Sequence, residues 1–81
     1  MFKVGDRVRL MVDERDFNHD LSIGSEGTVC GFDDSSKRIA VRWGGIMCMG
    51  HDCDNLCDYG YGWYVNDYEI DLLQQCPELA P

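Results

Sequence analysis

Apolar residues recur at every second position in several short stretches of this chain, and no stretch carries the spacing of an amphipathic helix. Val4, Val8, Leu10 and Val12 share one parity with Asp6, while Gly5, Arg7, Arg9 and Met11 occupy the other. Alternation of this kind marks a half-buried strand, because successive side chains point to opposite faces. The Gly5-Asp6 pair is turn-prone, so the first strand is expected to start at Arg7. Residues 27–32 (Gly-Thr-Val-Cys-Gly-Phe) read as a second strand, and Asp33-Asp34-Ser35-Ser36-Lys37 supplies turn chemistry. Residues 38–43 read as a third, with Ile39, Val41 and Trp43 on one face and Arg38, Ala40 and Arg42 on the other. Strand, polar turn, strand is a hairpin signal.

Further on, Tyr61-Gly62-Trp63-Tyr64-Val65 is a short aromatic strand. Asn66-Asp67-Tyr68 is too short for an α-helix and suits a single helical turn. Glu69-Ile70-Asp71-Leu72-Leu73 alternates again. The chain is therefore expected to be all-β: five short strands, long loops, and one short helical turn before the last strand. Closing such a sheet into a barrel would remove its edges. The domain is expected to span residues 3–73, with 74–81 as a flexible tail. Between the strands lie two irregular segments. Residues 13–24 are polar, pinned by Phe17, Leu21 and Ile23, and residues 44–60 hold a Cys/His/Asp cluster.

At 81 residues there is room for one domain with a modest core and little space for a deep substrate cleft. Charge is unevenly spread. All seven cations and eight acids fall in residues 1–42, whereas residues 43–81 hold seven acids and no cation, toward a total of −8. Such a surface repels phosphate backbones, which argues against direct nucleic-acid binding, and it suits a basic partner or simple solubility. The cysteines number five. With no apolar leader at Met1-Phe2-Lys3-Val4 and no membrane-length segment, an odd thiol count points to a reducing cytoplasm and free thiols.

Val4-Gly5-Asp6-Arg7-Val8-Arg9, Gly24-x-x-Gly27-Thr28-Val29, Ile39-Ala40-Val41-Arg42-Trp43, Gly62-Trp63-Tyr64-Val65 and Ile70-Asp71-Leu72 together resemble the SH3-like barrels. The rhythm is similar to the MIB/HERC2 and KOW types. It also resembles small bacterial and phage SH3-like proteins that share a Gly-His-Asp…Gly-x-Gly-Trp-Tyr-Val segment, here residues 50–52 and 60–65. The resemblance covers about residues 3–73. It implies a small five-stranded SH3-like barrel acting as a binding module. Its groove would lie between the 13–24 loop and Trp63, Tyr64 and Tyr68. Arg9-Leu10-Met11 stands where peptide-binding SH3 domains carry paired tyrosines, which argues against proline-rich ligands.

Candidate site residues follow from residue type and placement. Tyr59, Tyr61, Trp63, Tyr64 and Tyr68 fall within ten residues. In a strand Tyr61 and Trp63 share one face and Tyr64 the other, and both faces cannot be core in one small barrel. Either these rings cap the barrel mouth or they anchor a partner. A partner-binding surface is expected at Tyr61, Trp63, Tyr64 and Tyr68, with Asp13, Asp16 and Asp20 selecting basic residues. Cys48-x-x-His51-x-Cys53-x-x-x-Cys57 offers sulfur and nitrogen ligands of the kind zinc prefers, with Cys30 or His19 able to replace one. The competing reading is a loop of incidental thiols, some tucked into the core. Asp52, Asp54 and Asp58 fail the calcium-loop pattern, since Leu56 and Cys57 stand where ligand and glycine are needed. No motif supplies a catalytic thiol with a base, an orienting group and an oxyanion site, so the chain reads as non-enzymatic. The leading expectation is a module binding a basic protein or peptide, without cofactor. The alternatives are a phage-type inhibitor whose acidic face blocks a basic nucleic-acid-binding surface of a host protein, and a zinc-stabilised structural domain.

Overall fold

The structure is a computed structural model that describes residues 2–14 and 18–75. Five strands and one 3-10 turn follow in chain order: β1 (Arg7–Leu10), β2 (Glu26–Asp33), β3 (Arg38–Trp43), β4 (Gly62–Val65), the turn Asp67–Glu69, and β5 (Ile70–Gln74). All pairings are antiparallel, in the order β4-β3-β2-β1-β5. Arg7 starts β1, as the turn-prone Gly5-Asp6 pair predicts, and β3 spans the six residues read from the sequence. β5 runs on to Gln74. The rest of the expected tail, from Cys76 on, lies outside the described residues. Among those described, no helix is long and apolar enough to cross a membrane.

Closure is where expectation and structure part. β4 and β5 terminate the strand order and are not hydrogen-bonded to each other, so the barrel is open. Its edges are managed otherwise. β4 is only four residues long, and its outer side is met at Gly62 by an isolated bridge to His51. The bridge covers this edge at Gly62 and leaves only the residues beyond it as a template for pairing.

One face of the sheet builds the main core. Val8, Leu10, Val29, Ile39, Val41, Trp43, Val65 and Ile70 come from all five strands, and Leu21 and Met47 come from the two long loops. The loops are also tied to each other. Asn18 Nδ2 donates to Met47 Sδ at 3.5 Å, and the Cys48 amide donates to Asp20 Oδ2 at 2.9 Å. Long loops in a small domain need such ties to offset the entropy of ordering them.

The opposite face is covered locally. Ala40 on β3 is fully buried beneath Cys53 and Cys57, with Cys30 and Tyr64 packed beside them. A register shift between Val29 and Gly31 leaves Cys30 as the extra residue of a β-bulge. Gly62 is what lets the loop descend onto the sheet. A Cβ there would stand 2.6 Å from the His51 carbonyl oxygen and 2.9 Å from Cys53 Sγ.

Candidate functional site

The aromatic residues of β4 and the turn line two clefts that adjoin. Trp63 and Tyr64 line the first, of about 340 Å³, together with Glu14, Arg38, His51, Asn66 and Glu69. Tyr68 lines the second, of about 770 Å³, with Phe2, Phe32, Lys37 and Asp67 among its walls. Arg38 and Asn66 line both. Tyr68 is 78% exposed and Phe32 is also exposed, so the larger cleft is a shallow aromatic surface. Tyr61 lines neither. Its ring lies under the Arg42 guanidinium at 4.4 Å, and Arg42 in turn pairs with Asp58 at 3.0 Å.

In the smaller cleft, strand alternation sends Trp63 toward the main core and Tyr64 toward the thiol face, and both remain half-buried. His51 spans them, its ring centroid 5.5 Å from Trp63 and 5.6 Å from Tyr64. The His51–Gly62 bridge positions it, and His51 Nδ1 accepts the Cys53 amide at 3.0 Å. Tyr64 Oη donates to Asp54 Oδ2 at 2.8 Å. Burial, then this hydrogen bond, pushes the Tyr64 hydroxyl above its ordinary range. The Arg38 guanidinium lies 4.8 Å from the Tyr64 ring centroid.

The floor of this cleft holds a pair of carboxyls that the sequence reading did not single out. Glu14 is only 7% exposed and hydrogen-bonds to Glu69. That hydrogen bond, then burial, then the charges of Glu69 and Asp13, raise Glu14 to about 7. Burial alone would raise Glu69 as well. The hydrogen bond from Glu14 and those from Asn66 outweigh it and hold Glu69 below its ordinary value. Glu69 Oε1 accepts both the Asn66 amide at 2.7 Å and Asn66 Nδ2 at 2.9 Å. Below about pH 7 the pair thus holds one proton, with Glu14 as donor and Glu69 as acceptor.

This sharing makes stability depend on pH. Glu14 binds its proton more tightly folded, at about 7, than unfolded, at 4.5. The stabilisation is therefore fully present below about 4.5 and is lost as pH rises through about 7. Between pH 5 and 8 the unfolding free energy is expected to fall by roughly 1–3 kcal/mol on this account. Glu14→Gln, which keeps a donor to Glu69, is expected to flatten that fall in urea titrations. An unchanged pH profile in the variant would remove the pair from the explanation.

The remaining expected site residues are placed as follows. Asp20 ties the two loops through the Cys48 amide and lies 3.8 Å from His19 Nε2. Asp13 is exposed beside Glu14. Asp16 lies outside the described residues. Of the expected zinc ligands, Cys48 is exposed, and His51 Nδ1 is taken by the Cys53 amide. Cys53 and Cys57 are buried beside Cys30, with the Cys57 thiol hydrogen-bonded to both. Burial pushes the Cys53 thiol up to about 11 and raises Cys57 as well. Among the described residues no group of three His, Cys, Asp or Glu side chains is arranged to hold a metal ion. The loop also carries backbone strain. Cys53, Asp54 and Asn55 are consecutive left-handed residues at φ 49°, 57° and 72°, each costing roughly 1 kcal/mol.

Glu14 and Glu69 share no local spacing, so no motif joins them in the sequence. The legible trace was Asn66-x-x-Glu69, the capping-box pattern that fixes one of the two. Comparisons with protein-family models, with curated proteins and with solved structures find no match for this chain.

Proposed function

We propose that the chain is a non-enzymatic, SH3-like binding module that receives a basic protein segment in the groove formed by its two adjoining clefts. The observation that carries this reading is the shared wall. Arg38 and Asn66 join a His51–Trp63–Tyr64 pocket to a Phe2–Phe32–Tyr68 surface. Aromatic rings that are half-buried at one end and exposed at the other are the usual anchors of protein interfaces. The strand order and the helical turn before β5 support the SH3-like reading. Charge supports a basic partner. Arg7, Arg9 and Arg42 are engaged with Glu26, Asp71 and Asp58, which leaves an acid-dominated surface.

Selection of a displayed random-peptide library on the immobilised full chain tests this. It is expected to enrich basic peptides whose affinity drops at least tenfold with Trp63→Ala. Trp63 also packs against the core, so the variant should lose about 1–2 kcal/mol of stability yet unfold cooperatively. Peptides that bind Trp63→Ala as well as the parent, or a variant with no cooperative transition, would overturn the proposal.

A second reading is a phage-type inhibitor that covers a basic, nucleic-acid-binding site on a host protein. It rests on the cation-free half of the chain, whose Asp54, Asp58, Asp67 and Asp71 are all exposed. Affinity falling steeply with added salt supports it, and affinity indifferent to salt tells against it.

A further inference from the structure

Two carboxyls, Glu14 and Glu69, and one cation line the smaller cleft. Arg38 is the cation. It is held on the Tyr64 ring, with Nε 3.1 Å from Ser36 Oγ. With Glu14 and Glu69 both ionised, the cleft lining carries two carboxylates against the one guanidinium of Arg38, and a single further positive charge would bring it to neutrality. A proton on Glu14, whose carboxyl is raised to about 7 by its hydrogen bond to Glu69 and by burial, fills that role below that pH. A volume of about 340 Å³ admits one side chain, and Trp63, the aromatic best suited to a cation, forms a wall. A compact ammonium offers three donors to two carboxylates, a better match than a planar guanidinium to groups that already face each other.

The edge of β4 says what carries that charge. Gly62 exchanges both backbone hydrogen bonds with His51, N–H to O at 2.8 Å and O from N–H at 3.0 Å. Backbone groups alternate along a strand, so the N–H and C=O of Tyr64 face out of the same edge. No described residue forms a ladder with β4 on that side beyond Gly62. An open N–H and C=O beside a charged pocket is the arrangement that strand addition uses, with main-chain bonds supplying affinity and the pocket supplying specificity.

We propose that this cleft seats the ammonium of a lysine side chain carried on an extended segment of a partner protein, which adds to the outer edge of β4 at Tyr64. The inference rests on the binding-module reading and names what its groove selects. The ammonium replaces the Glu14 proton, so binding releases that proton. Groups facing the pair are Asp13 beside Glu14, Arg38 from β3, His51 from the 44–61 loop and Tyr64 from β4.

The test is an NMR titration of the full chain with Nα-acetyl-L-lysine N-methylamide, set against the norleucine equivalent, which has the same stem without the charge. Saturable shifts of the Tyr64 amide and the Trp63 indole N–H are expected, with the norleucine probe at least tenfold weaker. Glu14→Gln combined with Glu69→Gln should weaken the lysine probe at least tenfold. Should that double variant lose its fold, Glu14→Gln alone gives the same comparison. Affinity for the lysine probe should fall at least tenfold from pH 8 to pH 5.5, and the fall should persist in His51→Asn. Equal binding of the two probes, or indifference to the carboxyl variants, overturns the inference. Display-selected peptides that fill the cleft without a lysine would sink it while leaving the module standing. Peptides that ignore Trp63 would end both.

Discussion

Trp43→Ala is expected to cost about 3–5 kcal/mol, enough to leave a domain of this size largely unfolded at room temperature. Trp43 is 1% exposed and is the largest fully buried side chain in the described structure. Its ring belongs to a core drawn from all five strands and both loops. Truncation would leave a cavity that the surrounding strands can collapse into only partly. Trp43 also carries a liability. Its Nε1–H is buried and finds no acceptor among the described residues. A buried donor left without a partner costs roughly 1–3 kcal/mol. Trp43→Phe removes that donor while keeping most of the ring, so its cost is expected to stay below about 1.5 kcal/mol. Urea unfolding of the two variants checks the pair. Similar large losses for Phe and Ala would mean that the indole N–H has an acceptor after all.

The second large effect is expected at Gly62. A methyl group there meets the His51 carbonyl oxygen at 2.6 Å and Cys57 Cβ at 2.9 Å, and both belong to the loop seated on the sheet. Backbone cannot yield as a flexible side chain can, so Gly62→Ala should cost about 2–3 kcal/mol and lift the loop. Three readouts should change together. The His51–Gly62 bridge is lost, the buried Cys53 and Cys57 thiols react with a thiol reagent under native conditions, and peptide binding at the His51–Trp63 wall fails. Gly45→Ala is the control, because its Cβ has nothing within 4 Å. That variant should stay within about 0.5 kcal/mol of the parent. Gly62→Ala with its thiols still protected would show that the loop does not depend on close approach at this residue.

How far the sequence reveals this architecture depends on the range of the interaction. β1 and β3 are legible because alternation is local, and Arg7 and Trp43 mark strand ends that the structure keeps. The turn before β5 is legible because Asn66 and Glu69 cap it within one turn. Ala40 was assigned to the face opposite Ile39 and Val41, but what covers it was not readable. Cys53 and Cys57 come to it from a loop whose conformation depends on three left-handed residues and on Gly62. Closure was not readable either: β4 and β5 stay unpaired, and the outer side of β4 is met at Gly62 by His51 of that same loop. The aromatic cluster was visible as composition, yet its division had to come from the fold. Tyr61 is engaged with Arg42, Trp63 and Tyr64 line one cleft, and Tyr68 lines the next. Glu14 and Glu69 meet only because the chain returns past β1, where the Met11 amide donates to the Glu69 carbonyl at 2.8 Å.

The central claim is that the groove through Trp63 is where a partner binds. A chemical-shift map of the full chain, saturated with the tightest display-selected peptide, tests it most directly. Shifts concentrated at His51, Trp63, Tyr64, Asn66 and Tyr68 are expected. Shifts confined to the exposed Leu72 and Leu73 of β5, at the opposite edge of the sheet, would contradict it.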